Sequence, residues 1–179
     1  MEICVIDTET TGLCVDNDEI LEIAIIDSNG EVLMNTLVRP EQRASWPEAQ
    51  RIHGISPQDV ESAPTLAQIK DEIREIVAGR IVVIYNAEYD QAMLGDCIGT
   101  AEDVMCCKIG FMQEYAFIFE ETERWHKLVS AAHYVDHDWG QDAAHRAIYN
   151  ANATLSVWRW LHRQYPAAYP VKRDKLKRA

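Results

Sequence analysis

The sequence has no apolar run near the 18 residues of a membrane-spanning helix, and its first residues, MEICVIDTET, include no basic segment typical of a secretory signal. We therefore expect a cytoplasmic protein with no membrane partner. The five cysteines are odd in number and show no CxxC spacing, which excludes the usual zinc motifs and favours free thiols in a reducing compartment.

Several enzyme classes lack their signature motifs in this chain. There is no GxxxxGK[ST] phosphate loop, no GxGxxG, no GxSxG elbow and no HExxH. Phosphate-loop nucleotide hydrolysis, dinucleotide chemistry and serine hydrolysis are therefore not indicated.

Basic residues are scarce except at the C-terminus. Residues 171–179 carry five basic residues and one acid, a net charge of +4, whereas the other 170 residues carry 12 basic and 28 acidic residues, a net charge of −16. An acidic body excludes a broad basic face for nucleic acid but suits a site of carboxylates that needs cations before it tolerates a polyanion. The tail is either an electrostatic tether for phosphates or a solvated, disordered end.

The pattern along the chain predicts one α/β domain over residues 1–170, followed by the basic tail. Asn29-Gly30 between two β-rich runs predicts an antiparallel hairpin, and the apolar run RIVVIY predicts a buried central strand. Apolar spacing predicts a helix from Leu66, mostly helical structure over residues 100–135 after a short strand near 104–106, and a long helix from about Ala143 to Gln164. This order indicates a mixed central sheet flanked by helices.

Acidic residues stand at the ends of two predicted strands. Asp7 and Glu9 are two residues apart at the end of the first strand, so their side chains project to the same side. Asp90 follows the RIVVIY strand, where an acid also suits the first turn of a helix whose N-cap is Asn86. Open α/β sheets place ligands at such strand-to-helix junctions, so a bound cation and a solvated helix start are both consistent with Asp90.

Three spaced motifs indicate a more specific function for the chain: VIDTETTGL at residues 5–13, NAEYDQAML at 86–94 and HRAIYNANAT at 145–154. Together they resemble the motifs of the DEDDh, or DnaQ-like, 3′–5′ exonucleases. Among the members of that family, the small exodeoxyribonuclease X-like bacterial and phage enzymes are the most similar in appearance. ILEIA at 20–24 and RIHGIS at 51–56 also resemble connecting features of the family.

The resemblance implies a ribonuclease H-like fold and phosphodiester hydrolysis with two divalent cations, Mg²⁺ or Mn²⁺. It assigns metal binding to Asp7, Glu9 and Asp90, and the role of general base to His145. The fourth acidic ligand of the family is replaced by Asn150. The residues that the resemblance places against the substrate are Thr10, Thr11, Gly12, Leu13 (an apolar wedge against the last base), His53, Asn86 and Tyr89. For His53 a structural role is an equal alternative.

The spacing of a histidine and an acid five residues later occurs twice more, in His133 with Asp138 and in His137 with Asp142. Both pairs lie in a segment rich in turn formers, and Asp142 suits the N-cap of the last helix. Asn150 therefore has three explanations. We prefer a deliberate, inactivating Asp-to-Asn change that traps substrate; the others are a natural member with weakened activity and a site completed by another acid.

Three functions follow from these observations. The first is a metal-dependent 3′–5′ exonuclease acting on nucleic-acid 3′ ends, with single-stranded or frayed DNA favoured and RNA left open. The second is a non-catalytic nucleic-acid-binding or subunit module that retains the fold, and the third is an oligoribonuclease-type enzyme. The motifs do not determine whether the protein forms a homodimer.

Overall fold

The computed structural model describes residues 2–140 and 146–164. The described chain forms a five-stranded sheet in the order β3-β2-β1-β4-β5. The strands are β1 (Ile3–Thr10), β2 (Ile20–Asp27), β3 (Val32–Leu37), β4 (Ile81–Ile84) and β5 (Asp103–Cys106). The helices are α1 (Pro47–His53), α2 (Leu66–Val77), α3 (Ala87–Leu94), α4 (Cys107–Phe119), α5 (Leu128–Tyr134) and α6 (Ala147–Gln164), with a 3-10 turn at Gly95–Ile98.

The sheet is mixed, as the sequence predicts. β1 and β2 pair antiparallel, and so do β2 and β3, through the turn in which Gly30 adopts a φ of +94°. β4 pairs parallel with both β1 and β5. Each parallel connection contains a helix, as a crossover requires.

Successive side chains of β1 point to opposite faces of the sheet and pack into two separate hydrophobic clusters. Val5 belongs to a cluster that includes Phe111 of α4 and Leu155 of α6, whereas Cys4 and Ile6 belong to one that includes Ile73 of α2. Cys106 and Cys107 are buried, and all five cysteines are free, which confirms the prediction of free thiols. Helices therefore cover both faces of the sheet, and a site open to solvent must lie at one end of the strands.

Two predicted elements differ from the structure. The segment predicted as mostly helical contains helices α4 and α5 but is irregular over residues 120–127. The last helix begins at Ala147 and not near Ala143; Arg146 directly before it is not helical, and residues 143–145 lie outside the described part. The N-cap prediction for Asp142 also lies outside the described residues.

Within the described residues, no helix combines the length and apolar character needed to cross a bilayer. Residues 171–179, for which a basic tail is predicted, also lie outside that part of the chain.

Candidate active site

Asp7 and Glu9 lie at the point where β1 extends beyond its neighbour β4. β1 pairs with β4 from Ile3 to Val5, whereas its pairing with β2 continues to Thr10 and contains a bulge between Glu9 and Thr10. Both acids continue the face of Val5, toward α6. A bulge at a strand end often redirects side chains into a site, and here it follows the two carboxylates directly.

Asp90 reaches the same end of β1 from the other face of the sheet. It lies in the first turn of α3, which follows β4, and it is 7% exposed. The hydroxyl of Thr8, the residue between the two acids of β1, donates to Asp90 Oδ1 at 2.7 Å. The Asp90 carboxylate of α3 is therefore tied to β1 at the residue between Asp7 and Glu9.

Asn150 joins this group from the first turns of α6. Its Nδ2 donates to Asp7 Oδ2 at 3.2 Å and to Glu9 Oε1 at 3.1 Å, so a single amide nitrogen bridges both acids. The structure thus brings together Asp7, Glu9, Asp90 and Asn150 from three elements. The positive edge of the amide partly offsets the repulsion between the two carboxylates.

Burial raises the pKa values of all three acids, and repulsion from neighbouring carboxylates adds to the effect for Asp7 and Glu9. Loss of solvation is the main cause for each. It raises the pKa of Glu9 to about 7, with Glu22 and Asp90 adding to the effect, and that of Asp90 to about 6. The pKa of Asp7 is also raised well above its ordinary value, despite the hydrogen bond from Asn150 that lowers it. Carboxyl groups in this state gain most from a bound cation.

We expect the metal-free protein to lose stability as the pH rises from about 5 to about 8. Acids with raised pKa values bind more protons in the native than in the unfolded state over this window, so folding becomes less favourable as those protons leave. The melting temperature of Glu9→Gln should equal that of the parent at low pH and exceed it at high pH. Thermal denaturation of both proteins, with Glu72→Gln on the exposed side of α2 as control, checks this. Parallel curves for parent and Glu9→Gln would contradict it.

The donor set fits hard divalent cations, which are held by oxygen ligands. Within residues 2–140 and 146–164, however, no three His, Cys, Asp or Glu side chains are already grouped closely enough to hold one ion. The acids are instead engaged by the Asn150 amide and the Thr8 hydroxyl. Metal binding at this site would therefore exchange these hydrogen bonds for coordination.

The loop after β1 forms one wall of a cleft of about 620 Å³ beside the acids. Thr10 Oγ1 and the Tyr89 hydroxyl both donate to Gly12 O, at 2.7 and 2.6 Å. The Thr11 hydroxyl donates to Asp18 Oδ1 at 2.9 Å, and a Cβ at Gly12 would collide with the same Asp18 carboxylate. The loop is thus held in one shape.

Two apolar side chains in the lining of this cleft are exposed. Leu13 is 87% exposed and Ile52, on α1, is 61% exposed. Exposed apolar side chains beside a concave surface suit the flat face of a base. Thr10, Thr11, Gly12 and Leu13 thus all line the cleft, and Tyr89 supports their loop. Their contact with substrate stays a prediction.

His53 lies buried beneath the loop. The Ile55 backbone N–H donates to His53 Nδ1 at 3.0 Å, so Nε2 carries the proton and donates to Thr10 O at 3.2 Å. This arrangement favours the structural alternative for His53, although the ring also lines the cleft.

Asn86 occupies the N-cap position of α3 but makes no side-chain capping hydrogen bond. Lys108 Nζ donates to Asn86 Oδ1 at 2.5 Å instead. Asn86 is thus the N-cap residue, as predicted, but its side chain does not cap the helix, because a cation from α4 takes the oxygen that would do so. The amide N–H groups of Asn86 remain as donors at the strand end.

Sequence reasoning missed the buried ion pair behind the site. Glu22, 1% exposed, lies opposite Glu9 on β2 and accepts two hydrogen bonds from Arg146 Nε and one from Nη2, at 2.6 to 3.0 Å. It also accepts the backbone N–H of Ala147 at 3.0 Å, which caps α6 and explains why that helix begins there. The signal was an acid inside the apolar strand ILEIA, since a buried acid requires a partner.

His145, the predicted general base, lies outside the described residues, as does Asp142. The alternative acid Asp138 accepts the backbone N–H of Gly140, and His137 Nδ1 lies 2.8 Å from Ser156 Oγ. Ser156 is six residues beyond Asn150, about 9 Å along the helix. This contact ties His137 to a part of α6 remote from the acids.

Comparison with known proteins gives consistent matches. The sequence profile of the RNase T family, described as Exonuclease, matches residues 4–158. The uncharacterized exonuclease CP81 of Escherichia phage 186 is 37% identical over 165 residues, which cover 85% of this chain and 84% of that protein.

Two solved structures share the fold. Exonuclease X in complex with 5′ overhanging duplex DNA superposes with a TM-score of 0.69 at 24% identity, covering 92% of this chain and 93% of that one. E. coli exonuclease I in complex with a dT13 oligonucleotide superposes with a TM-score of 0.76 at 16% identity, and the match covers 95% of this chain. This chain spans only 43% of exonuclease I.

Proposed function

Since this chain belongs to the RNase T family of exonucleases, which are DnaQ-like and ribonuclease H-like in fold, we propose that it is a metal-dependent 3′–5′ exonuclease acting on DNA ends. The observation that carries this proposal is the convergence of Asp7, Glu9 and Asp90, all with raised pKa values, beside a cleft large enough for a nucleotide.

In this proposal Asp7, Glu9, Asp90 and the side-chain oxygen of Asn150 hold two divalent cations, Mg²⁺ or Mn²⁺. When bound, such cations polarise the scissile phosphate and make water a stronger nucleophile at neutral pH. His145 removes a proton from the attacking water, a role that suits an imidazole near neutral pH.

The remaining site residues contact the substrate. The terminal nucleotide enters the cleft, where Leu13 and Ile52 contact the base and the loop fixed by Tyr89 and His53 holds the sugar. Asn86 presents its amide N–H groups to a phosphate. The DNA bound in the two solved structures supports nucleic acid, and DNA in particular, as the ligand class.

Asn150 makes a second function a serious candidate: a module that binds nucleic acid without cutting it. The amide already donates hydrogen bonds to Asp7 and Glu9, which partly offsets their mutual repulsion without a cation. We infer that the Asp-to-Asn change weakens metal binding and lowers activity while leaving the cleft intact. Calorimetric titration with Mn²⁺ separates the candidates, since a binding-only module should show no site for paired cations.

Polarity and sugar preference need a direct test. Matched DNA and RNA oligonucleotides, labelled at either end, should be digested with Mg²⁺ and Mn²⁺ by this chain and by Asn150→Asp. A 3′–5′ exonuclease releases labelled mononucleotides at once from 3′-labelled strands, whereas 5′-labelled strands shorten stepwise. If neither protein released nucleotides, the exonuclease proposal would be overturned.

A further inference from the structure

A lysine and a tryptophan lie together on the side of the site away from the cleft. Lys108, at the start of α4, holds its ammonium 4.2 Å from the ring centroid of Trp125 while it donates to Asn86. Trp125 is nevertheless 76% exposed, so the ring face away from Lys108 is open to solvent. A large exposed aromatic ring held by a cation is more rigid than a free surface side chain.

The segment that carries Trp125 is anchored on both sides. The Tyr85 hydroxyl donates to His126 O at 2.8 Å, and the His126 ring packs against Tyr115 with centroids 4.5 Å apart. Lys108 N in turn donates to Tyr85 O. Trp125 is therefore fixed to the end of β4, the strand whose following helix supplies Asp90.

The sheet order defines a path between these groups. The cleft is walled by the end of β1 and by residues 43–53, whose Trp46 packs on Leu21 of β2. Trp125 and Lys108 are fixed to β4, the neighbour of β1 on its other side. The acids lie between: Asp7 and Glu9 are at the end of β1, and Asp90 is in α3, the helix that follows β4. A strand with its 3′ nucleotide in the cleft and its scissile phosphate at the acids continues toward Lys108 and Trp125.

The geometry points to Lys108 and Trp125 as a second nucleotide-binding site, which stacks a base on the 5′ side of the scissile phosphate and contacts its backbone. This inference rests on the proposed function. The segment 120–127 contains Glu120, Glu121 and Glu123, and Arg124 is paired with Glu121 at 3.0 Å. General attraction for a polyanion is therefore weak here, so stacking on the open ring face supplies the affinity, assisted by one cation.

The test is binding of this chain to short single-stranded oligonucleotides, followed by fluorescence anisotropy with Mn²⁺. Trp125→Ala should weaken binding by about 5- to 150-fold, the range for loss of one base stacked on an aromatic ring, and Trp125→Phe should recover most of it. Phe117→Ala is the matched control: it is 71% exposed on the same helix as Lys108, but about 180° away around the axis. It should change binding by less than about twofold.

Abasic substitutions along the strand locate the contact. At one position on the 5′ side of the scissile phosphate, the abasic strand should bind parent and Trp125→Ala equally, because the stacked base is already missing. Lys108→Ala should reduce the slope of log affinity against log salt by about 0.7, the value for one phosphate of a single strand. A loss with Trp125→Ala that is the same at every abasic position, or equal to that of Phe117→Ala, overturns the inference.

The failure of the proposed function has a different signature. In that case the unsubstituted chain would bind linear and circular strands alike, with or without Mn²⁺, and Asn150→Asp would cut neither. A metal-dependent preference for linear strands, combined with a neutral Trp125→Ala, overturns only the second site and leaves the exposed ring to a protein partner.

Discussion

Replacing Asn150 with aspartate should raise the rate of metal-dependent cleavage by on the order of 10²- to 10⁴-fold, the equivalent of several kcal/mol of transition-state stabilisation. The amide of Asn150 donates to Asp7 and Glu9, so the present side chain meets the two acids with its positive edge. An aspartate would instead meet them with a third carboxylate. Single-turnover cleavage of 3′-labelled DNA by both proteins measures the gain.

The same substitution should reverse the order of stability with and without metal. In the absence of metal, Asn150→Asp adds a carboxylate to a buried acidic group, so its melting temperature should be below that of the parent. With Mg²⁺ or Mn²⁺ its melting temperature should rise more than that of the parent, because it binds the cations more tightly. Asn152→Asp, two residues along α6, is the matched control for an added charge. Equal metal responses in Asn150→Asp and the parent would contradict the assignment.

Arg146→Ala should cost about 2–4 kcal/mol of unfolding free energy, or a fall in Tm of about 5–15 °C. In the variant, the buried carboxylate of Glu22 keeps its hydrogen bond from the Ala147 N–H but has lost its cationic partner. We place the cost below that of a fully buried pair because the Arg146 side chain is 47% exposed. Urea denaturation of parent and variant measures the difference.

Arg159→Ala provides the control for loss of an arginine from the same part of the chain. Arg159 is exposed and donates to Ser28 O at 2.7 Å, so its loss should cost less than about 1 kcal/mol. In the Asn150→Asp background, Arg146→Ala should also lower the cleavage rate, because Arg146 adjoins His145 and sets the start of α6. Similar stability losses for both arginines would show that the Glu22 pair is no more than a surface contact.

Much of the local structure could be predicted from short stretches of sequence. The hairpin at Asn29-Gly30 forms because glycine readily adopts the positive φ of the turn, and α2 begins after Thr65 because Thr65 and Gln68 form a capping box. The same holds for the separation of Asp7 and Glu9 on one side of β1.

The sequence by itself determined the family, the mixed sheet and the departure at Asn150, because motifs and periodicity are encoded within some ten neighbouring residues. Only the tertiary structure decided the partners of buried polar groups. Glu22 and Arg146 are 124 positions apart, and Lys108 reaches Asn86 over 22. Such pairs depend on strand register and helix placement, which the whole core sets. For that reason the start of α6, the partner of Asn86 and the place of Trp125 beside the site could not be predicted from local pattern.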